Sequence, residues 1–124
     1  MDRILVVDDN IDILHVVKAI LETHGFEVMT TPKGEEALEK TESYLPQLIL
    51  MDVYLSSGID GRQICNALKQ NETTKDIPVI MFSAQTKLEE VLKVCRADDF
   101  IAKPFAMKDL ISKIKYHIAH LSLN

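Results

Sequence analysis

A chain of 124 residues has room for one domain, since domains commonly take roughly 100–200 residues, and residues 1–124 read as a single unit. Its 47% hydrophobic and 27% charged residues are globular proportions, which excludes disordered and fibrous classes. Fourteen basic against 19 acidic side chains leave a net charge of −5, so the positive surplus that phosphate-backbone binding draws on is missing and no nucleic-acid partner is expected. No apolar run approaches the roughly 20 residues of a membrane span. The charged start Met1-Asp2-Arg3 passes straight into strand-like residues, without the pattern of a secretory leader. Cys65 and Cys95 belong to no CxxC or Cys/His cluster, so they read as small core hydrophobes in a reducing compartment. A soluble, cytoplasmic protein without membrane contact is expected.

Ile4-Leu5-Val6-Val7 is the first apolar strand. Ile13, Leu14, Val17, Ile20 and Leu21 then fall on one helical face. Asn10 is placed to cap that helix, and Gly25 to end it in the left-handed conformation. Phe26–Thr30 alternates as a weaker second strand. A second helix is predicted over Gly34–Ser43, with Ala37 and Leu38 facing inward. Leu48–Met51 is a third strand, apolar throughout. Asp60 starts a third helix, with Gln63 completing a capping-box pattern and Ile64, Ala67 and Leu68 as its inner stripe. Val79–Phe82 is the fourth strand, and Leu88, Val91, Leu92 and Cys95 mark a fourth helix. Phe100–Ala102 is a short fifth strand. The last helix has the clearest pattern: Met107, Leu110, Ile111, Ile114, Ile118 and Leu121.

Five βα units predict an α/β fold: one doubly wound parallel sheet with five helices on its two faces. The first, third and fourth strands are apolar on both faces, as buried central strands are. The second and fifth are shorter or alternate, as edges do. Adjacent pairing and right-handed crossovers then give the order 2-1-3-4-5, which is that of flavodoxin-like sheets.

In such a sheet, ligands bind beyond the carboxyl ends of the strands where the order reverses, here between the first and third strands. Strand one runs into Asp8-Asp9 and strand three into Asp52. Two charges ~5 Å apart at an effective dielectric of ~20 repel by about 3 kcal/mol, so such a cluster requires protonation or a cation. Oxygen donors without His or Cys favour a hard divalent ion, magnesium first. A single Asp after a strand is ordinary turn chemistry; three at one switch point are not. Ser83 follows strand four and Lys103 strand five on the same edge. Taken alone they are an N-cap serine and a solvated lysine. Together with a metal-bound carboxylate they make a cage for a tetrahedral oxyanion. Pro104 holds Lys103 in extended backbone, and a cis bond is available there.

Asp8-Asp9, Asp52, Ser83-Ala84 and Ala97-Asp98-Asp99-Phe100-Ile101-Ala102-Lys103-Pro104-Phe105 resemble the receiver domains of two-component response regulators, over the whole chain. The resemblance implies phosphoryl transfer from a histidine kinase or histidine phosphotransfer protein to Asp52, with Mg2+ as cofactor. It also implies magnesium ligation by Asp8, Asp9, Asp52 and the backbone carbonyl of Tyr54, and phosphoryl contacts from Ser83 and Lys103. Phe100 stands at the family's aromatic switch position. Its inward turn as Ser83 moves would reshape the face of the fourth helix, fifth strand and last helix for a downstream protein target. With no effector domain after Leu121, the output is expected to be protein–protein contact. The only enzymatic steps implied are self-phosphorylation and self-dephosphorylation.

Several positions depart from the family pattern. Phe100 replaces a tyrosine, so the switch reports by packing without a hydroxyl. The loop Leu55–Gly61 is longer than usual and lacks its proline, Arg96 stands where glycine is common, and the stretch from Ser83 to Lys103 is short. Tyr54 is bulky beside the acceptor and is read as a shield against water. A haloacid-dehalogenase-like phosphatase, the enzyme alternative, needs a second Asp two positions after its nucleophile; Tyr54 and Asn10 occupy those places. A receiver that works without phosphorylation is the third reading, and the intact set of site residues does not favour it. His117 and His120 read as cations complementing the end of the last helix, and Lys113 and Lys115 as a solvated face.

Overall fold

Three strands whose side chains are apolar on both faces can only sit inside, and they set the layering. The computed structural model describes residues 1–55, 58–83 and 95–121. Strands β1 (Arg3–Val7), β2 (Glu27–Thr31), β3 (Leu48–Asp52), β4 (Val79–Ser83) and β5 (Asp99–Ala102) form one parallel sheet in the order β2-β1-β3-β4-β5. β3 and β4 are buried at every residue, whereas β2 and β5 each expose one end. The predicted doubly wound, flavodoxin-like order is the observed one. The helices among the described residues are α1 (Ile11–Thr23), α2 (Ala37–Tyr44), α3 (Gly61–Gln70) and α4 (Met107–Leu121). The predicted helix over Leu88–Cys95 lies, apart from Cys95 itself, outside the described residues.

Because successive strand residues point to opposite faces, the sheet divides its apolar side chains between two cores. Ile4, Val6, Leu50, Ile80, Phe82 and Ile101 pack beneath α1 and α4, meeting Leu14, Val17, Leu21, Leu110, Ile111 and Ile114. On the other face, Leu5, Val7, Ile49, Met51, Val79 and Met81 meet Ala37 of α2 and Ile64, Cys65 and Leu68 of α3. Each fully buried aliphatic side chain stabilises by roughly 1.5–3 kcal/mol relative to exposure, so these two cores dominate the folding energy.

The ends of α1 follow the sequence. Asn10 Oδ1 accepts from the N–H groups of Asp12 (3.0 Å) and Ile13 (3.2 Å), and Gly25 ends the helix at φ +89°. The second helix differs from expectation. A 3-10 turn, Gly34–Glu36, leads into α2, and Leu38 is exposed. The buried face is Ala37 and Thr41, one helical turn apart, and the Thr41 hydroxyl donates to the Ala37 carbonyl at 2.7 Å. Leu38, one residue round from Ala37, is turned off that face. Gly34 has the same cause: a Cβ there would lie 2.7 Å from Leu55 Cδ1 and 3.0 Å from Ile59 Cγ2, so this end of α2 approaches through small residues.

At the start of α3 the chain passes close under β3. A Cβ on Gly61 would fall on the Asp52 carbonyl oxygen, and the Gly61 N–H donates to Val53 O at 2.7 Å. Gly61→Ala is therefore expected to destabilise the protein by about 2–4 kcal/mol and to disturb the position of Asp52. A chemical-denaturation midpoint within error of the wild type would refute that close approach.

Candidate functional site

Strand register brings the acids together. Val7 of β1 pairs with Met51 of β3, so Asp8 and Asp52 emerge side by side at the point where the strand order reverses. Asp52 pairs with Phe82 of β4, which leaves Ser83 one step further along the same edge. Ser83 pairs with Ala102 of β5, and the next N–H, that of Lys103, donates to Ser83 O at 3.0 Å. The Lys103–Pro104 peptide is cis.

The charges are packed into a nearly dry corner. Asp8 is fully buried, Asp52 is 7% exposed and Ser83 is buried, while Asp9 faces solvent. Carboxylate oxygens of Asp8, Asp9 and Asp52 all lie within 4.8 Å of one another. Lys103 Nζ sits between two of them, 2.7 Å from Asp8 Oδ2 and 3.2 Å from Asp52 Oδ2. It also lies 4.5 Å from the centre of the Phe82 ring, a cation–π contact that replaces part of its hydration. The remaining oxygens take backbone donors: Asn10 N–H to Asp8 Oδ1 at 2.8 Å and Tyr54 N–H to Asp52 Oδ1 at 3.4 Å.

Burial, then the neighbouring Asp8 charge, push the Asp52 carboxyl up to about 6, and Lys103 pulls against them. One ammonium thus offsets only part of the repulsion among three carboxylates. The site has spare negative charge, oxygen-only donors and one open side at Asp9, which suits a small hard divalent cation.

Tyr54 leaves its ring half exposed and 5.9 Å from the Arg62 guanidinium. Arg62 in turn grips Asp60, with Nη2 to Oδ2 at 2.7 Å and Nε to Oδ1 at 3.0 Å. Asp60 caps α3 as expected, accepting from Arg62 N–H at 2.9 Å, but its partner is Arg62 where Gln63 was expected. A single bridge between Tyr54 and Asp60 closes the loop. Phe100 pairs with Met81 and is half-buried against the core beneath α2 and α3. Lys113 and His117 do not form a solvated face or a lone dipole partner. Their side chains hold Asp99, at 3.0 Å and 2.9 Å, pinning α4 to β5. Among the site's neighbours, sequence reasoning missed Phe82 and Arg62. Phe82 is visible in hindsight as the aromatic immediately before Ser83; for Arg62 the only signal was its position next to the capping residue.

The Response regulator receiver domain family matches residues 4–115. The chain belongs to that family. The heme response regulator HssR of Staphylococcus aureus is 35% identical over 126 residues, covering 100% of this chain and 54% of that protein. The chain thus spans about half the length of the curated relatives it matches. A CheY-like receiver domain protein from Methanospirillum hungatei superposes with a TM-score of 0.89 at 31% identity, covering 98% of this chain and 97% of that one. The receiver domain of a signal transduction histidine kinase from Syntrophus aciditrophicus gives 0.87 at 31% identity, covering 96% and 91%. The receiver family serves two-component signalling and binds Mg2+ through acidic residues, and this receiver's acidic cluster is a donor set of that kind. Among its described residues, no helix is long and apolar enough to cross a membrane.

The raised Asp52 carboxyl has a stability consequence. Below the ordinary carboxylate value of 3.8, folded and unfolded chains both hold the proton. Between 3.8 and about 6 only the unfolded chain releases it, so stability falls as pH rises through that window. Without added divalent cation, Asp52→Asn is expected to be more stable than the wild type at pH 7 by on the order of 1–2 kcal/mol, screening allowed for. The gap should close near pH 4 and shrink when magnesium is added. Paired denaturation curves across pH check it; a pH-independent gap would contradict the assigned cause.

Proposed function

We propose that this receiver is a phospho-accepting switch whose acceptor is Asp52. The observation that carries the reading is the gathering of Asp8, Asp9 and Asp52 around Lys103 at the reversal point of the sheet. A histidine kinase or histidine phosphotransfer protein is the donor. An Asp52 oxygen attacks the phosphorus, the P–N bond of the donor phosphohistidine breaks, and the imidazole, already protonated on its other ring nitrogen, leaves neutral with the bond's electron pair. The product is a mixed anhydride on Asp52. Asp8, Asp9, Asp52 and the Tyr54 carbonyl are the residues to hold Mg2+, which supplies charge neutralisation for the phosphoryl oxygens when bound. Lys103 already stands 3.2 Å from Asp52 Oδ2, within reach of an oxygen on a group attached there. Ser83, one step along the edge, donates to another. Neither needs to cross the sheet to do so.

An apolar groove beside Lys103, lined by Ile13, Val16, Val17, Pro104, Phe105 and Met107, supports docking of the donor next to the acceptor. Phe100 carries the change to the output face by repacking against the core around Met81. The part of that face within the described residues is β5 and α4, held together by Asp99, Lys113 and His117. A downstream protein reads it. The reaction is stoichiometric, a signal and not a turnover, and a cytoplasmic location goes with such a donor.

Incubation with acetyl phosphate and magnesium, followed by intact mass, should add one phosphoryl group per chain. The group should be absent in Asp52→Asn and after chelation. Labelling that survives Asp52→Asn would remove the acceptor assignment, and sustained hydrolysis of generic phosphomonoesters would favour a phosphatase. Tyr54→Ala should shorten the phosphoryl lifetime several-fold by admitting water; an unchanged half-life would end the shielding role.

A further inference from the structure

Tyr54 follows Asp52 by two positions, and its backbone N–H donates to Asp52 Oδ1 at 3.4 Å. The residue is 50% exposed, so packing alone does not fix its ring, and an exposed side chain changes rotamer within picoseconds to nanoseconds. Arg62 reaches that ring, its guanidinium carbon 5.9 Å from the ring centre. Arg62 is itself held. Its Nε donates to Asp60 Oδ1 at 3.0 Å and its Nη2 to Asp60 Oδ2 at 2.7 Å, and both side chains are largely shielded from solvent. A guanidinium gripped along its edge by a carboxylate keeps its flat face for an aromatic ring, a pairing that an ammonium cannot reproduce. Asp60 is bridged back to Tyr54 through the backbone, and its carboxylate also accepts from the Arg62 N–H at 2.9 Å. The contacts close a circuit that leaves Tyr54 through its backbone and returns to it through its ring. The ion pair holds the Asp60 carboxyl below its ordinary value and the guanidinium above its own, so the circuit keeps its charges through neutral pH.

We propose that Arg62 is a positioning residue for the acceptor: it holds the Tyr54 ring beside Asp52 and so sets how long a phosphoryl group stays there. This rests on Asp52 being the acceptor and Tyr54 its shield. The step governed is hydrolysis. A water oxygen attacks the phosphorus, and the P–O bond to Asp52 breaks with its electron pair going to the carboxylate. The hydroxyl stays on the phosphate and the water's other proton passes to solvent. Keeping water out of the site slows that attack, and a ring held in one place keeps it out for longer than a ring that swings. Arg62 acts through Tyr54, without a contact of its own to the phosphoryl group.

The full chain is loaded with acetyl phosphate and magnesium, desalted, and held with magnesium at neutral pH while intact mass follows loss of the group. Arg62→Met keeps a long side chain and removes the cation. It should still take up one phosphoryl group but lose it about two- to five-fold faster than the wild type. Tyr54→Ala should be at least as fast, and adding Arg62→Met to it should change nothing further, because the ring through which Arg62 acts is gone. A general loosening of the fold, or a direct contact of Arg62 with the phosphoryl group, would speed the loss by the same factor with and without the ring. Asp60→Asn keeps an acceptor for the α3 cap while weakening its hold on the guanidinium; it should shorten the lifetime in the same ring-dependent way, and it stands in if Arg62→Met does not fold. A wild-type half-life in the folded variant, or equal acceleration in the Tyr54→Ala background, would overturn the inference and leave Asp52 as the acceptor. A wild type that takes up no group, or labelling that survives Asp52→Asn, would instead remove the acceptor reading and this role of Arg62 with it.

Discussion

Two carboxylates buried side by side cannot both stay charged without a cation between them, and this protein puts Asp8 and Asp52 in that position with Asp9 at the rim. Lys103 answers the conflict only in part, since Asp52 still keeps its proton to well above the ordinary range. The conflict follows from the sheet itself. Parallel register fixes where β1 and β3 end, so the side chains after Val7 and Met51 must meet. The apolar strands give the frame its stability, and that stability holds the acids in a repulsive arrangement. A hard divalent cation at the open side by Asp9 would relieve it. The site is electrostatic frustration held in a rigid frame.

That frame was legible in the sequence because its signals are local. Apolar runs marked the strands, the contrast between two-sided and alternating runs marked centre and edge, and Asn10 and Gly25 marked the ends of α1. The acids could be placed because a strand's end is readable from its apolar run, and the sheet rule turns strand ends into a site. What was missed depends on partners far along the chain. Leu38 and Thr41 are both plausible inner residues, and only the approach of Gly34 to Leu55 and Ile59 selects the smaller face. Lys113 looks solvated and His117 looks like a helix-end cation until β5 presents Asp99 to them. Gln63 fits a capping box by spacing, but Arg62 forms several bonds to Asp60 at once. Phe82 lies under Lys103 because β4 and β5 are neighbours, which no local pattern announces.

The loop after β3 couples these levels. Its two ends are tied by Leu55 N–H to Ile59 O at 3.1 Å and Gly61 N–H to Val53 O at 2.7 Å, and Arg62 clasps both the Asp60 carboxylate and the Tyr54 ring. Tyr54 N–H reaches back to Asp52. The peptide beside Asp52 is thus positioned from α3.

The entry to β5 is fastened in a comparable way. Asp98 accepts from Lys69 of α3 at 2.6 Å and from the Val79 N–H of β4 at 2.8 Å, and the Asp98 N–H returns a bond to Val79 O at 2.8 Å. Lys103 is therefore indexed to the sheet from a fork just upstream of its own strand, and not by counting residues from Ser83. The ammonium's aim is thereby tied to α3 and β4 together, through the Asp98 carboxylate just before β5.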